Sequence, residues 1–264
     1  MKILFIGDVV GKLGRRAVAA LLPAIKEKHE PDLTIANAEN LAHGKGVTSQ
    51  TLKELLDAGV DFCTSGNHIW AKPEGHSIVA QKDSLVLRPA NFPDGTPGSG
   101  ARLFTVGTKS VLVVNLMGRV FMKEHLSCPF RALDSILDEY KSKKPNAIIV
   151  DFHAEVTSEK NTFGLYADGR VSAVLGTHTH VPTADERILP NGTAYISDVG
   201  MVGLKYSSIG VEYQGILQTF LTQMPGKFEV PDAGLAVFNA VLLDIDPKTA
   251  KTRSIVRIQQ DVEI

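Results

Sequence analysis

Val60-Asp61-Phe62-Cys63-Thr64-Ser65-Gly66-Asn67-His68 is the stretch from which the architecture can be read. An apolar run from Val60 to Cys63 ends in small residues, and an amide and an imidazole then stand where a buried strand should break. Asn67 offers a neutral oxygen to a metal, and His68 is of the residue type that passes protons near neutral pH. The same residues can also simply close a strand, with Asn in a left-handed backbone and His capping a carbonyl. The reading therefore turns on whether other strands end in the same way.

Upstream, Lys2 to Gly7 is a short, nearly all-apolar run that closes on Asp8. After Gly11, the positions Leu13, Ala17, Leu21 and Ile25 recur every fourth residue and give a helix one apolar face. Pro23 predicts a kink or a break in it, because an interior proline removes a donor and clashes with the preceding turn. Leu33 to Ala36 is a second buried strand, running directly into Asn37-Ala38-Glu39-Asn40. Thr48 and Ser49 are good N-caps, Leu52, Leu55 and Leu56 make the next apolar stripe, and Gly59 sits where that helix should stop. Strand, helix, strand, helix, strand favours right-handed crossovers and a parallel sheet whose carboxyl ends share one edge. Open α/β sheets bind ligands at that edge.

Downstream, Asn91 to Gly100 reads as a loop, not a domain linker. Ala101 to Val106 and Ser110 to Leu116 form a hairpin around Gly107-Thr108-Lys109. Phe130, Leu133, Leu137 and Tyr140 mark another helix. Ala147 to Phe152 is a buried strand ending at His153, and Val171 to Leu175 delivers Gly176-Thr177-His178-Thr179-His180. Asn191-Gly192 predicts a hairpin, and Gly234 to Ile245 with Thr252 to Val262 a last antiparallel pair. A parallel first half and a hairpin-rich second half point to one mixed α/β domain over residues 1–264, with two packed sheets and helices outside.

Composition fits that picture. Of the 264 residues, 44% are hydrophobic and 22% charged, as in globular proteins with a sizeable core. Lys and Arg total 28 against 29 Asp and Glu, so no global footprint for polymeric nucleic acid or anionic membrane exists. A small substrate is expected, and a homo-oligomer is compatible with the sequence. Cys63 and Cys128 share no CxxC spacing and read as buried thiols of a reducing compartment. The apolar run Ile3 to Ile6 is too short for a signal-peptide core, and nothing approaches the roughly 20 apolar residues of a membrane span. The expected location is cytoplasmic.

Five strand ends thus carry Asp8, Glu39-Asn40, Asn67-His68, His153 and His178-x-His180, all metal-ligand types. On an extended backbone His178 and His180 would point to the same side and could each grip one ion of a pair. Carboxylates, amides and imidazoles together suit iron, manganese or zinc better than calcium or magnesium. Glu39 is the natural bridge, since one carboxylate has two oxygens to share. Two ions about 3.5–4 Å apart can clamp the attacking and leaving oxygens of a displacement at phosphorus. Two divalent ions outweigh Asp8, Glu39 and a bridging hydroxide by one positive charge, which a phosphodiester monoanion would balance.

Gly7-Asp8, Glu39-Asn40, Gly66-Asn67-His68, His153 and Gly176-Thr177-His178-Thr179-His180 resemble the motifs of the calcineurin-like metallophosphoesterases, in particular their bacterial YmdB-type branch. The resemblance runs from the first residues through Asp198-Val199-Gly200-Met201. It departs from the superfamily pattern at two positions that favour this branch. Val10 stands where a ligand histidine is usual, with Asn40 taking that part, and Glu39 replaces the usual bridging Asp. The resemblance implies a four-layer α/β/β/α sandwich of two mixed sheets flanked by helices. It also implies phosphodiesterase activity, with 2′,3′-cyclic nucleotides as leading substrates, and two metal ions, iron or manganese, with zinc an option. Carried over by position, Asp8, Glu39, Asn40 and His180 would hold the first ion, and Glu39, Asn67, His153 and His178 the second. A metal-bridging hydroxide would attack, and His68 would be the general acid, a role that typically contributes about 10²–10⁴-fold.

Gly7-Asp8-Val9-Val10-Gly11-Lys12 matches neither G-x-G-x-x-G nor the P-loop spacing. Arg119 and Phe121 could touch phosphate and stack on a base, or be an ordinary solvated Arg and core Phe. His43 lies near a ligand loop but reads as a surface residue, and His29, His76 and His125 read as ordinary. Asp198 is a candidate for orienting a metal-bound histidine. Two rival functions stay open: a binuclear amidase or deacetylase, since two metals serve carbonyl attack equally well, and a catalytically silent binding scaffold of the same fold.

Overall fold

The computed structural model describes residues 1–264. The elements run β1 (Lys2–Val9), α1 (Gly11–His29), β2 (Leu33–Asn37), α2 (Ser49–Asp57), β3 (Phe62–Thr64), α3 (Pro73–Ala80), β4 (Ala101–Val106), β5 (Lys109–Met117) and α4 (Pro129–Tyr140). There follow β6 (Ala147–His153), α5 (Thr157–Ala167), β7 (Ala173–Thr177), β8 (Arg187–Ile188), β9 (Ala194–Ile196), β10 (Met201–Leu204), α6 (Tyr213–Thr222), β11 (Leu235–Ile245) and β12 (Thr252–Glu263). One sheet has the order β12-β11-β10-β1-β2-β3, the other β4-β5-β6-β7-β9-β8. Within them β10-β1-β2-β3 and β5-β6-β7-β9 are parallel, and the remaining pairings are antiparallel.

The two-residue period of the strands builds the layers. Ile3 and Phe5 of β1 belong to one core with Val111 and Val113 of β5, Ile149 of β6 and Leu175 of β7, so the sheets pack face to face. The alternate residues Leu4 and Ile6 pack with Leu13, Ala17, Leu22 and Ile25 of α1. Leu112, Val114, Val150 and Phe152 likewise meet Leu133 of α4 and Phe163 of α5. Helices, sheet, sheet, helices is the four-layer α/β/β/α sandwich. Strands covered on both faces have to be almost uniformly apolar, which is why their sequences read as runs and not as alternation.

Two local expectations are corrected. α1 passes through Pro23 without a break. Pro23 and Ala19, whose carbonyl loses its partner, are both exposed, so water can replace the missing hydrogen bond. Cys63 is buried, but Cys128, just before α4, is half-buried. One element stands apart: α6 has no buried residue, and Phe220, Leu221 and Met224 in and after it are exposed.

Candidate metal centre

The first sheet supplies carboxylates and amides. Asp8 lies where the pairing of β1 with β2 shifts register, an irregularity of the kind that re-aims a side chain. Its carboxylate is fully buried. Oδ2 accepts from the His178 N–H at 3.1 Å, whereas Oδ1 has no partner. Glu39, two residues beyond β2, is buried too. Its Oε1 accepts from Asn40 Nδ2 at 3.1 Å and its Oε2 from the His68 N–H at 3.1 Å. Gly66 is required here: a Cβ would stand 2.3 Å from both Glu39 Oε2 and His153 Nε2.

The second sheet supplies imidazoles. His153 ends β6 with its Nε2 facing His178 Nδ1 at 3.0 Å, Asn67 Oδ1 at 3.1 Å and Glu39 Oε2 at 3.3 Å. Its Nδ1 lies 2.9 Å from Thr177 Oγ1, and that hydroxyl donates to Asp151 Oδ1 at 2.6 Å. Because the Thr177 proton is committed to Asp151, the hydroxyl accepts from His153 Nδ1–H, and Nε2 is the ligand atom. Asp151 also accepts from Asn37 Nδ2 at 3.0 Å, so this buried carboxylate ties the two sheets together behind the centre.

His178 and His180 reach the centre by a route that the extended-strand reading did not foresee. β7 stops at Thr177, and both histidines are left-handed, with φ of 99° and 65°. The turn sends them to different neighbours. His178 Nδ1 meets His153, and its Nε2 lies 3.0 Å from Glu155 Oε2. His180 Nε2 stands 3.2 Å from Asn40 Nδ2 and 3.8 Å from Asp8 Oδ1, while its Nδ1 donates to the Ile209 carbonyl at 2.8 Å. A buried ion pair holds the turn. Lys160 Nζ donates to Asp198 Oδ2 at 2.8 Å and to the Thr177 carbonyl at 2.9 Å, and Asp198 Oδ2 accepts from Thr179 N at 3.0 Å and Oγ1 at 2.9 Å. Asp198 thus acts on the backbone between the two histidines and touches neither imidazole.

The charges are crowded. Burial opposes ionisation of Glu39, yet His153 and His68 beside it outweigh that and hold it well below the usual carboxylate range. Burial raises Asp8, with His180 and His153 pulling the other way. Burial also disfavours charge on His153, but Glu39, Asp8 and Asp151 prevail and lift it to about 9. His178 is pushed down to about 3 by burial and by His153. Burial brings Asp151 up to about 7 against the pull of His153 and the hydrogen bonds from Thr177 and Thr64. One imidazolium proton on His153 thus stands among groups that all present lone pairs.

That donor set fits metal ions. Ligand atoms of Glu39, His153 and His178 lie within 4.8 Å of one another, and the orphaned Asp8 Oδ1 marks a second place for positive charge. All eight residues expected at the centre are brought together: Asp8, Glu39, Asn40, Asn67, His68, His153, His178 and His180. Asn40 presents its amide nitrogen to His180 and Glu39, so offering oxygen to an ion there requires the amide to turn over. His68 is 30% exposed at its side chain, with Nδ1 2.8 Å from Asn40 Oδ1 and 3.1 Å from Glu39 Oε1. His43 is exposed in the loop after Asn40, and Arg119 and Phe121 are exposed beyond β5, so the core reading of Phe121 does not hold. Asp151, Thr177, Lys160 and Glu155 were not foreseen. A carboxylate inside the apolar run Ala147 to Phe152 was the available signal for Asp151; Lys160 gave none.

A family model described as YmdB-like protein matches residues 4–258. A 2′,3′-cyclic-nucleotide 2′-phosphodiesterase of Bacillus subtilis (strain 168) is 47% identical over 258 residues, covering 98% of this chain and 96% of its own. Among solved structures, a protein from Thermus thermophilus superposes with a TM-score of 0.91 at 44% identity, over 99% of both chains. A phosphatase from Mycoplasma pneumoniae gives 0.92 at 37% identity, over 100% of this chain and 94% of that one.

Proposed function

The chain belongs to the YmdB-like protein family, and from that membership we propose that it is a metal-dependent phosphoric diester hydrolase acting on 2′,3′-cyclic nucleotides. The observation that carries the reading is the meeting of Glu39, His153 and His178 ligand atoms beside the unpartnered Asp8 oxygen. Asp8, Glu39, Asn40 and His180 would hold one ion, and Glu39, Asn67, His153 and His178 the other, with iron or manganese suited to this mixed set. Such ions would supply positive charge to the phosphoryl oxygens and lower the pKa of an attacking water.

The chain's own residues do the rest. Thr177 and Asp151 keep the His153 ring in one tautomer. Lys160 and Asp198 hold the turn that separates His178 from His180. Glu39 Oε1 accepts from His68 Nδ1–H, which leaves the imidazolium's Nε2–H to give its proton to the departing ribose oxygen as the P–O bond breaks. Residues 1–264 act as one unit, since ligands come from both sheets. No helix is long and apolar enough to cross a membrane. The names of the Bacillus and Mycoplasma relatives favour phosphorus over a carbonyl carbon as the electrophile.

The test joins elemental analysis to turnover. Metal-replete protein should carry two ions per chain and open 2′,3′-cyclic nucleotides while leaving amides intact. One ion or none in active protein would refute the binuclear site, and faster hydrolysis of amides would refute the substrate class.

A further inference from the structure

Phe121 combines two unfavourable features at one residue. It is 87% exposed, so its ring has no packing of its own, and its backbone has φ of 62°, a conformation that bulky side chains rarely adopt. Such strain persists where the surroundings impose it, and it gathers at ligand sites.

The turn that carries Phe121 is anchored on its N-terminal side, and Met122 N–H closes it on the Arg119 carbonyl at 3.3 Å. Glu159 accepts from the Arg119 N–H at 2.9 Å through Oε1 and from the Val120 N–H at 3.2 Å through Oε2, and Gly118 N–H donates to the His153 carbonyl at 3.0 Å. A Cβ on Gly118 would stand 2.5 Å from Glu159 Oε2 and 2.6 Å from Ala154 Cβ, so this close approach needs glycine. Met117 pairs with His153 in the β5–β6 register, which starts the loop beside a proposed metal ligand. From Gly118 to Phe121 the chain can reach at most about 10 Å, a nucleotide's length. An unpacked aromatic ring is thus tethered, by a rigid turn, to the strand end that carries His153.

We propose that Phe121 is the stacking platform for the base of a nucleotide whose phosphate occupies the metal centre. The inference rests on the phosphodiesterase reading above and adds the recognition of the base. Stacking uses the π-face that every base has, so this platform confers affinity for nucleotides without strong choice among bases.

The test compares wild type, Phe121→Ala, Phe121→Trp and Phe121→Gly, all metal-loaded. The substrates are adenosine and uridine 2′,3′-cyclic phosphates and a base-free methyl riboside 2′,3′-cyclic phosphate. Calorimetry follows the binding of adenosine monophosphate. Phe121→Ala should lower the kcat/KM preference for nucleotide over base-free ester by about 5- to 100-fold, through KM, and weaken mononucleotide binding by a similar factor. Phe121→Trp should restore both. Phe121→Gly relieves the backbone and should melt no lower than wild type while losing the same preference, which separates recognition from folding. An unchanged preference in Phe121→Ala, or equal losses on both ester classes, would overturn the platform. Wild type that opens the base-free ester and aryl diesters but no cyclic nucleotide would overturn the substrate reading. In that case, mononucleotide binding that weakens in Phe121→Ala would still support the platform, and binding that does not weaken would overturn it.

Discussion

Asp8, Glu39 and Asn40 reach the centre at or just beyond strand ends of one sheet, whereas His178 and His180 reach it from the other through a left-handed turn. The first group is fixed largely by contacts within the centre: Glu39 with Asn40 and His68, Asp8 with the His178 backbone. The second depends on groups behind it: Lys160, through Asp198, holds the turn, and Asp151, through Thr177, fixes the ring of His153 beside them. Carboxylates carry their charge into the site and need lone pairs left free, while an imidazole needs one nitrogen tied so that the other points inward. Damage to the first group should therefore remove the chemistry at once, and damage behind the second should loosen it.

The largest effect is expected at Glu39, the one residue shared by both proposed ion sites. Glu39→Ala should reduce turnover to background and lower the metal content of the purified protein. Retention of two ions with activity near wild type would break the comparison at its root.

His68 sits on the same side of the centre and touches ligands without being one. His68→Ala should keep its metals and lose about 10²–10⁴-fold in turnover of a 2′,3′-cyclic nucleotide, and much less with a nitrophenyl diester, whose leaving group needs no proton. Equal losses on both substrates would count against proton donation.

Behind the imidazoles, Lys160→Met leaves the buried Asp198 without its cation but with the Thr179 and Gly200 donors. Breaking such a pair costs about 3 kcal/mol, to be read from denaturant unfolding of metal-free protein. A wild-type unfolding midpoint together with wild-type turnover would show that the turn supports itself.

The smallest effect concerns protons. Burial works against charge on His153, but its carboxylate neighbours hold it protonated up to about 9 in the metal-free chain. An ion requires the Nε2 lone pair, so below that pH uptake should expel about one proton from His153, and metal affinity should climb as pH rises toward 9. His178, kept neutral down to about 3, contributes none. Calorimetric titrations near pH 8, above the value of about 7 to which burial raises Asp151, in buffers of differing ionisation heat would count the protons from His153. A result near zero would place the cationic charge elsewhere.

Much of this was legible in the sequence because buried strands flanked by layers are apolar from end to end, so a polar residue that interrupts the run marks a special place. Asp8, Glu39, Asn67 and His153 were all visible as such interruptions. His178 and His180 were visible as ligand types, but their backbone was not. Nothing in Thr177-His178-Thr179-His180 announces two departures into left-handed geometry, because the turn is held by a lysine well upstream and an aspartate well downstream. Pro23 misled for a related reason. Its cost depends on whether the orphaned carbonyl faces water, and that is decided by the fold around the helix. Phe121 read more readily as a core residue than as an exposed one, since an aromatic ring carries no mark of where it will lie.

β1 pairs with β2 on one edge and with β10 and β11 on the other. A ribosome makes β1 first and its second set of neighbours only after Gly200, so for most of synthesis the nascent chain holds an apolar strand with an open edge. Non-local pairing of this kind slows folding and exposes the chain to wrong partners. Asp8 is placed by its own N–H donating to the Gly200 carbonyl at 3.1 Å, and so its carboxylate takes up its position only when that distant segment arrives. Metal capture is therefore expected as one of the last events in the life of the new chain, and a truncated product that exposes the same ligands in sequence should be unable to keep the ions.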